Sequence, residues 1–526
     1  MKFFKFLILI LICFSFVAGH AVTVSVDSPG TLSSLISTAD KKTITDLTVT
    51  GNVDARDFKC LRDELTVLSR LDISAVNIQA YSGTGGTSSS TNYLVNRLPD
   101  NSFMNKTVLK TIVLPASLTY MGAYSLCGTG VTTVNIPPLV TYITYNVFEN
   151  TYSLTEISVD AANPSYTSQD GILFNKIKTT LLQCPTLKKG DYIIPASVVT
   201  INNVAFKLTN LSTITMPNSV TTIGVFAFSD TKTLTSINFS TSLTSIGDNA
   251  FLDCVNLTGS VVLPNTLTKI GNSVFSNCND ITSVSIPNSV TTIGNFAFSE
   301  CQSLTSVYLP SSLTSIGNYA FTNCRNAKGD LIIPNTLKTI GEGAFSYCVG
   351  FSNLVIGNSV TSIGNGAFRN CSSLAGTLVL PNSLTQIGSF TFYSCNQLNN
   401  LTIPNSITSI GSFAFEKCSS INSSLNIPNS VTSIGESAFA FCSNLKKLVI
   451  PASVISIAKN AFWSCKGLNL IQCFLSIPID LSNINGVFMD INKSTCTLQV
   501  PHDSNVLYHN ASGWKSFIEI EDLQSN

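Results

Sequence analysis

The sequence predicts a repeat solenoid of about 14 coils of 22–24 residues, mostly short parallel strands and turns, with a cap at each end. Three observations predict it. One phrase recurs: "IPNSVTTIGNFAFSEC" runs from Ile286 to Cys301, and "LPSSLTSIGNYAFTNC", "IPNTLKTIGEGAFSYC" and "IPNSITSIGSFAFEKC" end at Cys324, Cys348 and Cys418. The period is steady, because Pro264, Pro287, Pro310, Pro334, Pro381, Pro404, Pro428 and Pro451, with Gly357 where one proline is missing, follow in steps of 23 or 24. The composition is polar without being charged. Lys plus Arg and Asp plus Glu are both 29 in 526 residues, and charged residues make up 11%. That balance leaves no field to gather nucleic acid or anionic lipid, so no nucleic-acid partner is expected.

The elements follow in chain order. Residues 1–21, "MKFFKFLILILICFSFVAGHA", place Lys2 and Lys5 before a short apolar run and end in small residues, the pattern of a secretory signal peptide. No later stretch is long and apolar enough to span a bilayer, so no transmembrane span is expected once the signal is removed. Residues 22–99 read as an N-terminal cap in which Leu47 and Val49 recur as Leu71 and Ile73, with a helix near Ala55 to Leu65. In "DARD", Asp54 and Asp57 suit a helix start. "YSGTGGTSSSTNY", from Tyr81 to Tyr93, reads as a flexible loop.

Residues 100–468 are the repeats, with an enlarged unit at 160–194 whose turn residues predict a hairpin. Within one unit, Leu304, Val307 and Leu309 have the spacing of an inward-facing strand that Pro310 ends. Leu313 and Ile316 mark a second short strand before Gly317, and Ala320 and Phe321 fill the coil. The additional residue of the longer steps is expected in the turn before the strand. Residues 469–526 break the period and read as a closing strand followed by a short helix. One unit cannot bury its apolar face alone, so the array is the folding unit.

The motif "LTSVxLPxSLTSIGxxAFxxC", tight from Pro264 to Cys465 and looser from Phe103, resembles the BspA-type leucine-rich repeat family. "GNVDARDF" near the start and "GWKSFIEI" near the end are similar to bacterial members, although their wall-anchoring motif is not found up to Asn526. The resemblance implies a secreted or cell-surface adhesion module whose partner is a protein of the host matrix or of another cell surface.

The register "AFxxC" holds Cys254, Cys278, Cys301, Cys324, Cys348, Cys371, Cys395, Cys418, Cys442 and Cys465. Export favours disulfides, but identical positions in a stack point their Cβ bonds in parallel. Metal binding lacks a Cys-x-x-Cys pair and any histidine between Ala21 and Pro501. Earlier units put Thr151, Thr209 and Thr231 at the same place, so the row reads as structural buried thiols. No catalytic constellation is found, and no cofactor or metal is expected. Threonine and serine rows such as Thr291 and Thr292, Thr314 and Ser315 suggest ice binding as an alternative, interrupted by Lys269, Lys338 and Gln386; a purely structural surface layer is another. For binding, the varying outward position two residues before each proline stands out. Tyr308, Ile332, Val355 and Val379 are consecutive and apolar there, the candidate partner-binding residues.

Overall fold

A computed structural model describes residues 20–144 and 146–523 of the chain. Of the expected signal segment, residues 1–19 lie outside the described residues, and His20 and Ala21 open the first strand. The chain divides into two compact units, Met1–Lys176 and Ile177–Asn526, a division that falls inside the enlarged unit.

In the first unit, strands β1 (His20–Val26), β2 (Ile44–Val53) and β3 (Arg70–Ile78) pair in parallel and lead into Thr111–Val113. The segment expected as a cap therefore carries coils of its own. Between the strands lie α1 (Leu32–Leu35) and α2 (Ala55–Asp63). Asp54 and Asp57 close a capping box on α2, as the sequence led us to expect. Asp57 also accepts from the Gly30 and Leu32 amides at 2.6 and 2.9 Å, tying the α1 turn to α2. At the other end of α2, Lys106 donates to the carbonyls of Arg62 and Leu65 at 3.1 and 2.6 Å, tying the end of the helix and the turn after it to the next coil. Burial pushes this amine down to about 8. The stretch Tyr81 to Tyr93 is not a free loop. Tyr81–Ser82 pairs antiparallel with Asn92–Tyr93 and the two tyrosine rings stack at 6.0 Å, because the polar run is bracketed by aromatics that can meet. The enlarged unit does contain a hairpin, Tyr166–Gln169 against Ile172–Asn175, turning at Gly171 with φ 77°.

In the second unit each coil has two strand positions and a turn. The longer strands, such as Gly329–Ile332 and Phe351–Val355, pair in parallel. Two-residue strands such as Thr292–Ile293, Ser315–Ile316 and Thr339–Ile340 form a second parallel ladder. Glycines follow these short strands because a Cβ at Gly317 would lie 2.6 Å from the Asn295 amide nitrogen of the previous coil. The additional residue of a longer step lies in the linking segment before the strand, so that Gly329–Ile332 opens later after Cys324 than Phe351–Val355 does after Cys348. Opposite Gly259, Gly329 and Gly376, all at positive φ, the register skips Thr282, Ser352 and Asn399 on the following strand, a bulge that leaves the rest of the coil in phase.

The core is a column of repeated side chains. Thirteen phenylalanine rings from Phe206 to Phe488 stack coil on coil with centroids 4.9–5.8 Å apart and planes within 13°. Exposed and half-buried polar residues join the coils from outside the core. Thr314 donates to the Thr291 carbonyl at 2.9 Å, Ser312 to Val290 at 2.7 Å, and the Asn318 amide to Asn295 Oδ1 at 2.7 Å, each one coil back. A chain rich in Ser, Thr and Asn thus uses them to join coils.

Counting the end segments, the coils number about 22, more than the 14 read from the proline period. The reason lies at the termini, where strands without the motif still join the ladder. At the C-terminal end Leu470–Cys473 pairs with Thr497–Val500, and Ile520–Asp522 follows after helix α3 (Asn505–Asn510). The stack therefore ends on a strand, not on the helix.

Candidate functional site

The four expected partner-binding residues all point outward. Tyr308, Ile332, Val355 and Val379 are 76%, 59%, 47% and 58% exposed, flanked by buried Val307, Leu331, Leu354 and Leu378. Strand alternation produces this, since each outward side chain follows an inward one. Ile332 is the register partner of Val355, whereas Tyr308 lies in a stretch without assigned strand and Val379 faces Thr402. Between these pairs, on the strand face, the Lys328 amide donates to the Thr305 carbonyl and the Ala375 amide to the Ser352 carbonyl, both at 2.9 Å. Beside Val355 and Val379 runs a groove of about 650 Å³, walled by Asn353, Thr377, Thr402 and Pro404. Val262 and Ile193 continue the apolar outward position at 62% and 75% exposed.

The ten register cysteines are buried and free, and their geometry is uniform. Each Sγ lies 3.0–3.3 Å from the carbonyl oxygen of the phenylalanine one coil back, Cys254 on Phe228 through Cys465 on Phe439. Thr231 makes the same bond to Phe206 at 2.9 Å and Thr151 to Leu126 at 3.2 Å. Thr209 bonds instead to Phe206 of its own coil. The thiol is a weak donor with the volume of a small apolar group, which suits a buried carbonyl beside a phenyl ring. Burial pushes Cys301, Cys418 and Cys465 up to about 12, so these thiols stay protonated and unreactive. Cys473 and Cys496 are also buried and free, with Cys473 against the Tyr508 hydroxyl at 3.2 Å.

A third feature escaped the sequence reading. The turn "xAFxxC" has two residues at positive φ in each coil, and in several coils these are aromatic: Phe296, Tyr319, Tyr347, Phe390, Phe413 and Phe441, with φ between 54° and 61°. Such backbone favours glycine or asparagine, which stand at the equivalent positions as Gly343, Gly366, Asn249 and Asn460. The aromatics stack on each other, Phe296 on Tyr319 at 5.2 Å and Phe390 on Phe413 at 4.6 Å. Arg369 sits among Tyr347, Phe390 and Tyr393, its guanidinium carbon 5.9, 5.4 and 5.2 Å from their centroids. The sequence signal was the run of aromatics at the variable positions of "xAFxxC", before the alanine at Phe296, Tyr319 and Phe413, before Thr391 at Phe390, and before the cysteine at Tyr347 and Phe441.

Among the described residues, no three His, Cys, Asp or Glu side chains are grouped to hold a metal ion, and no helix is long and apolar enough to cross a membrane. The turn carboxylates are partners in the stack. Asp248 accepts from the Asn272 amide at 2.8 Å, Glu300 from the Asn323 side chain, and Glu436 pairs with Lys459 at 3.0 Å.

The model of the BspA type leucine rich repeat region, six copies long, matches residues 74–189, 175–259, 258–375 and 375–485. The chain belongs to the BspA-type leucine-rich repeat family. The family match takes in the whole thiol row and the outward strip, and ends before Thr497–Val500 and α3. Among solved structures, this BspA-type chain is similar to a leucine-rich repeat protein from Bacteroides ovatus, 25% identical with TM-score 0.53 over 79% of this chain and 89% of that one. A leucine rich cell surface protein from Faecalibacterium prausnitzii is 24% identical, with TM-score 0.37 over 59% of this chain and 95% of that one. The pneumococcal vaccine antigen PcpA is 15% identical, with TM-score 0.32 over 70% and 82%. No curated protein matches the sequence.

Proposed function

We propose that this leucine-rich repeat protein is a non-enzymatic binding module that acts outside the cell, secreted or held at its surface, and docks a protein of the extracellular matrix or of another cell. The partner sits on the strand face at Tyr308, Ile332, Val355 and Val379. One observation carries this reading: four large apolar side chains, each about half exposed or more, project from consecutive coils of a protein whose polar groups are spent on joining coils. An apolar strip on such a surface is a contact in waiting. Extended repeat arrays present surfaces of this kind, and the leader-like residues 1–21 favour export. Ice binding is less well supported, because the hydroxyls of Thr291, Thr314, Thr361 and Thr408 donate to backbone carbonyls one coil back.

The test is capture of partners by the chain lacking residues 1–21 from matrix and cell-surface extracts, repeated with a Tyr308→Ser, Ile332→Ser double variant. The variant is expected to bind at least about tenfold more weakly, with little salt dependence and unchanged thermal unfolding. Parent-like binding of every captured partner would sink the assignment.

A further inference from the structure

Arg369 is a cation with no anion. Its Nε is buried without a hydrogen-bond partner, and neither it nor Lys417 nor Lys466 forms an ion pair with a described residue. Three aromatic rings hold the guanidinium in place of a carboxylate. Tyr393 lies one coil on from Arg369 and Lys417 two, its ammonium 5.1 Å from the Tyr393 ring centroid and donating to the Tyr393 hydroxyl at 2.8 Å. Tyr393 is thus contacted by both Arg369 and Lys417. Next to Lys417 opens a groove of about 420 Å³ lined by Ser394, Ser419, Ser443, Phe441 and Lys466. Carboxylates of this region are engaged or covered: Asp490 accepts from Trp463 Nε1 and Ser464 Oγ, both at 3.0 Å, Glu436 is paired with Lys459, and Glu416 is buried.

We propose that this corner, Arg369, Tyr393, Lys417 and the serine-lined groove ending at Lys466, is a second binding site, and that its ligand is an acidic peptide segment carrying carboxylates beside apolar side chains. A planar guanidinium fixed by stacking keeps its N–H edges for a carboxylate, a bidentate acceptor of matching shape. The two lysines supply point charges along the groove, and Phe390, Phe413 and Phe441 supply apolar contact. Ring geometry decides between ligand classes. Phe390 and Phe413 stack face on face at 4.6 Å and 9°, and Tyr393 meets the two cations, so the platform that a sugar or nucleobase would stack on is already occupied. The aromatic residues also bear a backbone cost, since Phe390, Phe413 and Phe441 stand at φ 57–60° where other coils use glycine or asparagine.

This inference stands apart from the strand-face reading, and either can fail alone. The probe is a fluorescein-labelled hexapeptide of alternating Glu and Phe, with the Gln-for-Glu peptide as control, followed by anisotropy on the chain lacking residues 1–21. The acidic peptide is expected to bind, to weaken severalfold as salt rises from about 50 to about 300 mM, and to bind at least about tenfold more weakly to an Arg369→Gln, Lys417→Gln variant. The Tyr308→Ser, Ile332→Ser variant should bind it like the parent, and thermal unfolding should confirm that all three proteins are folded. Equal binding of the acidic and amide peptides, parent-like binding by the double charge variant, or no binding at about 1 mM would overturn the site. Binding of heparin at the same residues in place of the peptide would overturn its assignment to peptide.

Discussion

The thiol of Cys324 lies 3.2 Å from the Phe298 carbonyl, and the hydroxyl of Thr231 2.9 Å from that of Phe206, so two residue types perform one task. Cysteine adds a softer, more apolar surface against the phenyl column, and threonine a stronger donor. Cys324→Thr should therefore shift stability by less than about 1 kcal/mol, while Cys324→Val, with similar volume and no donor, should cost about 1 kcal/mol in denaturant unfolding. The same burial predicts a pH response. The folded thiols of Cys301, Cys418 and Cys465 are raised from 9.0 to about 12 by desolvation. Between those values the unfolded chain has lost protons that the folded chain keeps, so stability is full below pH 9 and falls as pH rises. Each thiol contributes a loss of about 1.4 kcal/mol by pH 10. Unfolding monitored by circular dichroism should thus show a steep alkaline decline, accompanied by no labelling of Cys254 to Cys465 by iodoacetamide at pH 8 until the chain unfolds. Rapid labelling of the native protein would contradict it.

At the scale of the element, a coil is set by what its neighbour leaves room for. A Cβ on Gly317 would lie 2.6 Å from backbone atoms of Asn295 and Gly294, so Gly317→Ala should force the coils apart and cost about 1–3 kcal/mol in thermal unfolding, although alanine is a small change. The period, the proline-terminated strands, the inward row and the capping aspartates were legible in the sequence because each rests on residue type and spacing. Other features were not. The bulges opposite Gly259, Gly329 and Gly376 fall at Thr282, Ser352 and Asn399, on strands that carry no glycine to mark them. The hairpin closing at Tyr81 and Tyr93 rests on two rings meeting across a polar run that composition describes as loop. The outward placement of Tyr308, Ile332, Val355 and Val379 followed from alternation, but the missing strand at Tyr308 did not. The aromatic corner stayed hidden for a physical reason: phenylalanine and tyrosine are poor choices for positive φ, so nothing in their type announces the turn that turns them outward.

Over the second unit, stability is close to a sum of coils and of the contacts between neighbours, because strand pairs, thiol bonds and stacked rings all reach one coil and no further. The phenyl column must then be stopped somewhere, and the C-terminal segment does so by changing ring orientation. Phe462 stacks flat on Phe488 at 9°, but Phe488 meets Trp514 at 60° and Phe517 at 79°, and Tyr508 closes on Trp514 at 84°. An edge presented to the last flat ring covers it without offering a new face to continue the stack. Trp514 is fully buried, and its Nε1 donates to the Ile479 carbonyl at 3.0 Å. Two aromatic truncations of similar local cost, about 3–5 kcal/mol each, should therefore have different reach. Trp514→Ala should fray the stack from its end, raising amide hydrogen exchange in Leu470–Cys473, Thr497–Val500 and Ile520–Asp522 by two or more orders of magnitude while the coils around Phe298 stay as protected as before. Phe345→Ala, in the middle of the column, should instead loosen coils on both sides of it and lower the unfolding midpoint of the whole unit. If Trp514→Ala raised exchange evenly from Phe206 to Phe488, the unit would be a single cooperative block, and the neighbour-limited account of its stability would be wrong.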